Sequence, residues 1–213
     1  MPRDVRRHAP RAILAAFALI LPGAAPVAAL EAGTLLLGVH AVTGAGDYAA
    51  EQGGYFVPDR RQDVGLSGDG WWFFADGVAL ALAGRLHAGR DLMRAPGLPD
   101  RVVRSAAWSA RAGLDRFVEI GDGVHLFIGP GVEVWRGRAS HEGVAGPGVV
   151  NGPRTWRVSG CGRLGALLVL GDSFALTGHV DCRVGWAEAA WEDRSARWAP
   201  GGVDGAAGVV WAF

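Results

Sequence analysis

Val78-Ala79-Leu80-Ala81-Leu82-Ala83-Gly84-Arg85-Leu86-His87 changes character at every residue. Val78, Leu80, Leu82, Gly84 and Leu86 share one parity; Ala79, Ala81, Ala83, Arg85 and His87 share the other. Side chains of an extended chain point alternately to opposite faces, so this period predicts a strand lying between two unlike surroundings. The pair Asp76-Gly77 just before it is a turn signal. On the far side of that turn, about 63–74, Val64, Leu66, Trp72 and Phe74 again fall together. Two such runs joined by Asp-Gly predict a hairpin.

The hairpin rhythm recurs along the chain. Segments at about 33–43, 63–74, 78–89, 102–117, 124–138, 154–170, 173–188 and 205–213 read as eight strands. In the first, Leu35, Leu37, Val39 and Ala41 oppose Leu36, Gly38, His40 and Val42. In the fourth, Trp108, Ala110, Ala112 and Leu114 oppose Ser109, Arg111, Gly113 and Asp115. The fifth sets Val124, Leu126, Ile128, Val132 and Val134 against His125, Gly129, Gly131 and Glu133. Pro130 falls on its apolar parity and, lacking an N–H, is expected to weaken pairing there. The seventh alternates Phe174, Leu176, Val180, Val184 and Trp186 with Thr177, His179, Asp181 and Arg183.

Connections come in two sizes. Asp76-Gly77, Gly121-Asp122-Gly123 and Gly171-Asp172 are tight, whereas the alternate connections, about 44–62, 90–101, 139–153 and 189–204, are long. An even strand number with short turns at one end and long loops at the other predicts an eight-stranded antiparallel up-and-down transmembrane β-barrel. Alternation alone does not separate it from a water-soluble lipocalin-like barrel that holds an apolar ligand, since inverting the faces keeps the period. Aromatic placement helps to decide, with the soluble barrel kept as a second alternative. Trp72, Phe74, Phe174, Trp211 and Phe213 fall on the apolar parity near the tight turns, and Trp108, Trp156 and Trp186 on the same parity near the long loops. Two aromatic girdles around an apolar band are the membrane arrangement.

The amino terminus carries Arg3, Arg6, Arg7 and Arg11 ahead of the apolar run Ala12–Leu21, with small residues ending at Val27-Ala28-Ala29. That pattern predicts a signal peptide over residues 1–29, with a barrel domain over 30–213. The apolar run is too short to span a bilayer. All 21 basic residues are Arg. Cleavage would remove four of them and one of the 21 acids, leaving 17 Arg against 20 acids, a net charge of −3. Nucleic acid is therefore not an expected partner.

The last run, Val209-Val210-Trp211-Ala212-Phe213, has apolar residues at alternate positions and a terminal aromatic. With the eight-strand pattern, it resembles the small outer-membrane β-barrel superfamily, which includes the OmpX and OmpA barrel domains. The resemblance covers about residues 30–213 and rests on pattern, with this tail as its most specific part. It implies the cell outer membrane as location and a monomeric, structural or surface-interaction protein with a plugged polar lumen. It also implies contact with outer-membrane lipid and lipopolysaccharide. Val209, Trp211 and Phe213 would serve as the signal read by the barrel-assembly machinery.

Several constellations need weighing. His40, Arg85, His87, Arg111, Asp115, His125, Glu133, His179, Asp181 and Arg183 all fall on the inward parity and are expected to form a polar lumen network. Counted from the turn ends, the four histidines stand at different levels, so no metal site or cofactor is expected. Cys161 and Cys182 fall on the two arms of one hairpin. A two-residue turn at Gly171-Asp172 would set them opposite each other, yet parity puts them on different faces; a bulge near Gly160–Gly162 would reconcile the two. The sequence leaves that disulfide open.

Some small barrels of this kind are lipid A hydrolases with a His-x-Ser-Asn motif, and this chain has no Ser two places after a His. Ser140-His141-Glu142 is adjacent in sequence only. A lipid A-modifying hydrolase is thus an alternative reading, and catalysis is not the expectation. The long loops, with Tyr48, Tyr55, Phe56 and Arg60-Arg61 in the first and Trp191, Arg194, Arg197 and Trp198 in the last, are candidate interaction surfaces.

Overall fold

The computed structural model describes residues 30–52, 55–93, 101–142, 149–171, 173–191 and 194–213. The expected signal peptide, residues 1–29, lies outside them. Nine strand segments follow in chain order: β1 (Leu35–Gln52), β2 (Tyr55–Ala75), β3 (Val78–Met93), β4 (Arg101–Gly121), β5 (Val124–Glu142), β6 (Val149–Gly171), β7 (Phe174–Trp191), β8 (Arg194–Trp198) and β9 (Gly201–Ala212).

Eight of these form a closed antiparallel ring. Consecutive strands pair from β1 to β7, and β9 joins β7 to β1, leaving no open edge. Ring closure continues to the tail, where Leu35 and Phe213 exchange backbone bonds of 2.9 and 3.1 Å. Closure is what lets strands cross hydrocarbon, because every backbone N–H and C=O then finds a partner. β8 is not a barrel strand. It folds back on the end of β7 alone, pairing Trp191 with Arg194, inside the region expected to be one long loop.

The strands are longer than their apolar pattern. β1 and β2 pair from Leu35↔Trp72 to Gln52↔Tyr55, so most of the expected loop 44–62 is ladder. The other long connections shorten in the same way, with β3 reaching Met93, β5 reaching Glu142 and β6 starting at Val149. A ladder extends into water as readily as through lipid; only the period-two apolar signal stops where both faces become wet.

At the short turns each hairpin carries one register shift: Phe73/Ala75, Glu119/Gly121 and Val169/Gly171. Gly77 and Gly123 take positive φ of 64° and 73°, which lets the chain reverse beside such a bulge. Pro130 stays within β5 and pairs across to Gly162, while the ladder toward β4 skips from Gly113↔Gly131 to Arg116↔Ile128.

Parity separates two environments all round the ring. Leu66, Leu82, Leu86, Trp108, Ile128, Val132, Leu164 and Val184 are exposed outward, with Leu86 at 68 % and Val184 at 73 %. The inward set is buried. A water-soluble barrel would reverse this, so the lipocalin-like alternative is excluded. Trp72 and Phe74 at the turn end, and Trp108, Trp156 and Trp186 at the other, stand outward as two girdles. Phe174 and Trp211 meet edge to face at 6.1 Å in the lower girdle, Trp156 and Trp186 at 4.6 Å in the upper.

Candidate functional site: the barrel interior and the outer rim

The interior is filled in three layers. At the turn end, Leu30, Leu36, Trp71, Phe73, Phe117, Phe127, Leu167 and Val210 form an apolar plug. Phe117 and Phe127 stack at 4.8 Å, and Trp71 meets Phe127 edge to face at 5.9 Å. The inward parity of this end is thus aromatic, not polar. At the long-hairpin end, Tyr48, Val103, Ala107, Trp135 and Ala139 form a smaller apolar layer. Tyr48, expected on a loop surface, is fully buried against Trp135 at 5.1 Å, and its hydroxyl donates to Asp63 at 2.6 Å.

Between the layers lies a charged network. Arg163 is its hub. Its Nε and Nη2 donate to the two oxygens of Asp181 at 2.9 and 3.3 Å, and its Nη1 lies 3.1 Å from Asp69 and 3.8 Å from Asp115. The guanidinium also sits over the Trp71 ring at 5.8 Å. Arg85 contacts Asp181 and lies 3.7 Å from both Glu133 and Asp204. Arg157 donates to Glu133 at 2.5 Å, Arg111 to Asp115 at 3.2 Å, and Arg183 pairs with Asp204. Asp115 also accepts the Trp71 indole N–H at 2.8 Å. Five buried arginines thus face six buried carboxylates, Asp63, Asp69, Asp115, Glu133, Asp181 and Asp204. Shared partners offset the cost of taking so many charged side chains out of bulk water.

Inward glycines make the space. A Cβ at Gly131 or Gly113 would come within 3.1 Å of the Arg111 guanidinium, and one at Gly208 would lie 2.7 Å from Cα of His40. Outward glycines differ: a Cβ at Gly68, Gly84 or Gly162 would meet nothing within 4 Å. Gly68 and Gly84, paired across β2 and β3, line a lipid-facing groove of about 570 Å³ with Leu37, Trp72 and Leu82.

Of the ten residues expected in the lumen network, Arg85, Arg111, Asp115, Glu133, Asp181 and Arg183 form ion pairs there. His40 Nδ1 lies 2.9 Å from an Asp69 carboxylate oxygen, and His179 Nε2 lies 3.7 Å from Asp181. The two imidazoles, expected at different levels, meet at 5.3 Å. Counting from turn ends missed this because strands are staggered: β9 lies between the two, pairing Gly208 with His40 and Ala206 with His179. His87 is buried on the inward face of β3, two residues beyond Arg85. His125 does not join the network. It pairs across the ladder with Glu119 at the turn end, only partly buried. Asp63, Asp69, Arg157, Arg163 and Asp204 were missing from the expected network, though each is buried on the inward face.

Cys161 and Cys182 are both free thiols. The register is Gly162↔Cys182 and Cys161↔Arg183, one step away from the register that a two-residue turn would set. Residues directly opposite share a face, so inward, buried Cys161 cannot oppose outward, exposed Cys182. The bulge needed to reconcile them sits at the turn, not at Gly160–Gly162.

Ser67 donates to Asp69, the carboxylate that already holds His40, so the acid rather than the imidazole faces the hydroxyl. Ser140, near the end of β5, donates its hydroxyl to the Arg104 carbonyl at 3.5 Å; the side chains of His141 and Glu142 lie outside the described set. Among the described residues no group of three His, Cys, Asp or Glu is placed to hold a metal ion.

A closed eight-stranded barrel, apolar outside and charged within, is the architecture of the small outer-membrane β-barrel proteins. Solved structures agree. OprG of Pseudomonas aeruginosa superposes with a TM-score of 0.59 at 14% identity, covering 86% of this chain and 97% of its own. Ail of Yersinia pestis, in its complex with the heparin analogue sucrose octasulfate, superposes at 0.51 with 12% identity, over 86% and 100%. The sequence matches no protein-family model and no curated protein.

Proposed function

We propose that this chain is a monomeric outer-membrane β-barrel with a structural or surface-interaction role, exported by its signal peptide and closed to ion flow by its own side chains. Val209, Trp211 and Phe213 serve as its assembly signal for the barrel-assembly machinery, and outer-membrane lipid with lipopolysaccharide is its surrounding partner. The tight turns face the periplasm and the long hairpins the exterior.

One observation carries the closed-lumen reading: the Arg163 hub with Asp69, Asp115 and Asp181, seated on the Phe117–Phe127 plug. An ion crossing here would have to break buried pairs and pass an apolar layer with nothing to replace its hydration. Planar-bilayer recording tests this. The refolded chain should give no single-channel steps, and Phe117→Ala with Phe127→Ala should begin to admit current only if the network also loses Arg163. Steady conductance through the unaltered protein would refute closure. Fractionation of cells, with heat-modifiable gel migration of the outer-membrane fraction, tests location separately.

A further inference from the structure

Above the upper tryptophans the outward face changes from apolar to cationic. On β5 the outward positions run Val124, Leu126, Ile128, Pro130, Val132 and Val134, then Arg136 and Arg138. Ten residues at about 3.3 Å each, tilted by about 40°, cover about 25 Å along the normal, the height of an apolar membrane band. Arg136 therefore stands at the edge of that band. Register places it between two tryptophans, Trp108 on β4 and Trp156 on β6. One step higher, Arg138 lies directly opposite Arg154.

Two features separate this trio from an ordinary solvated face. Cross-strand neighbours of like charge repel, and here two guanidinium groups start from adjacent strand positions with a third two residues away. Yet Arg136, Arg138 and Arg154 have no ion-pair partner among the described residues. The one described acid in the same two outward rows on β4–β8, Glu188, is engaged by Arg197 at 3.5 Å. The opposite rim is different: Arg116, the outward arginine of β4 near the turns, donates to the Asp76 carbonyl at 3.0 Å. Cations without counter-charge, gathered at one membrane boundary and flanked by interfacial indoles, call for a multivalent anion held at that height.

We propose that Arg136, Arg138 and Arg154 form a docking site for the phosphate of an outer-leaflet glycolipid, with Trp108 and Trp156 flanking its sugar–acyl boundary. The site rests on the orientation given under Proposed function. Its charge is complementary to a phosphorylated headgroup, and it is continuous with the band that the acyl chains already cover.

Native mass spectrometry of the full chain in a neutral detergent supplies the test, with diphosphoryl lipid A and phosphatidylethanolamine as probes. The unaltered protein should retain one lipid A in preference to phosphatidylethanolamine. The R136Q/R138Q/R154Q variant should bind it at least about ten-fold more weakly, as expected for three lost charge-assisted contacts. Its unboiled gel migration should stay compact, because these side chains point away from the lumen. Equal retention by both proteins would overturn the site, and so would displacement of lipid A by an equal concentration of inorganic phosphate. Orientation is read independently. A Ser195→Cys variant, on β8 at the same end, should react in intact cells with a maleimide that cannot cross the outer membrane. An unreactive thiol there would overturn the outer-leaflet assignment whatever the lipid measurements give.

Discussion

Replacing Arg163 by Met isolates the worth of the buried network. Methionine keeps most of the volume and the unbranched stem, so the change removes charge and hydrogen bonds with little cavity. Four relationships vanish: the two-pronged bond to Asp181 at 2.9 and 3.3 Å, the 3.1 Å pairing with Asp69, the longer one to Asp115, and the guanidinium over Trp71. Asp181 keeps Arg85, and Asp69 keeps His40, but four arginines would then face six carboxylates in a closed space. Breaking a buried pair by removing one partner costs about 3–5 kcal/mol, mainly because the other charge stays buried. The expected loss is of that size. Arg163→Lys should fall between, since it keeps the charge and loses the planar fork. Adding Asp181→Asn to Arg163→Met should recover part of the loss, a non-additivity of about 0.5–3 kcal/mol. Urea unfolding in detergent micelles, followed by tryptophan fluorescence and by unboiled gel migration, measures these variants, Asp181→Asn alone and the unaltered chain, five proteins in all, under reversible conditions. A loss below about 1 kcal/mol for Arg163→Met, or strict additivity in the double variant, would refute the account of a hub that compensates its buried carboxylates.

Charge on the lipid face should be penalised by depth: Leu82→Arg, on an outward position 53 % exposed, should cost about 2–4 kcal/mol in the same unfolding assay. Alanine at the glycines should divide by face. Gly165→Ala brings a Cβ within 2.3 Å of Phe127 and 2.7 Å of a backbone carbonyl and should cost about 1–3 kcal/mol, whereas Gly84→Ala, with open space, should stay within about 0.5 kcal/mol. Thiol titration should count two free cysteines without reductant after unfolding, with Cys182 alone alkylated in the folded barrel by a small lipid-soluble maleimide. Replacing Trp211 and Phe213 together by Ser should lower the heat-modifiable, membrane-assembled fraction, because both stand on the closing strand beside β1. Unchanged yield would remove the tail from the assembly signal.

The architecture was legible because lipid and lumen are opposite solvents, and strand geometry writes that contrast at every residue. Val78–His87 shows it fully: Leu82 and Leu86 are exposed outward, while Ala81, Ala83 and Arg85 are buried. Ladder beyond the membrane carried no such contrast. Residues of β1 and β2 past Thr43 and before Asp63 pair as faithfully as those below, yet read as loop because neither face need be apolar in water. β8 was invisible for the same reason. Its five residues, Arg194 to Trp198, show no sustained apolar face, and they are held by the end of β7.

The interior was legible only as a parity, not as a map of neighbours. Sequence named Asp181 for the lumen and passed over Asp69 and Arg163, which share the inward face; which of them touch depends on the stagger between strands, and one step of register moves every partner. The three turns each add a bulge, and the last of these moved Cys182 from opposite Cys161 to opposite Gly162. The same stagger brought His40 to His179 across β9. A usable signal was nevertheless present in the glycines. Gly113, Gly131, Gly165 and Gly208 all fall on inward parity: a Cβ at Gly113, Gly131 or Gly208 would strike the carbonyl of Pro130, Ala112 or Val39 first, with Arg111 or His40 close behind, and one at Gly165 would strike the Phe127 ring. In a barrel this narrow the inward side chains compete for one small volume. An inward glycine therefore marks a position where a neighbouring carbonyl and the side chain beside it already fill the space.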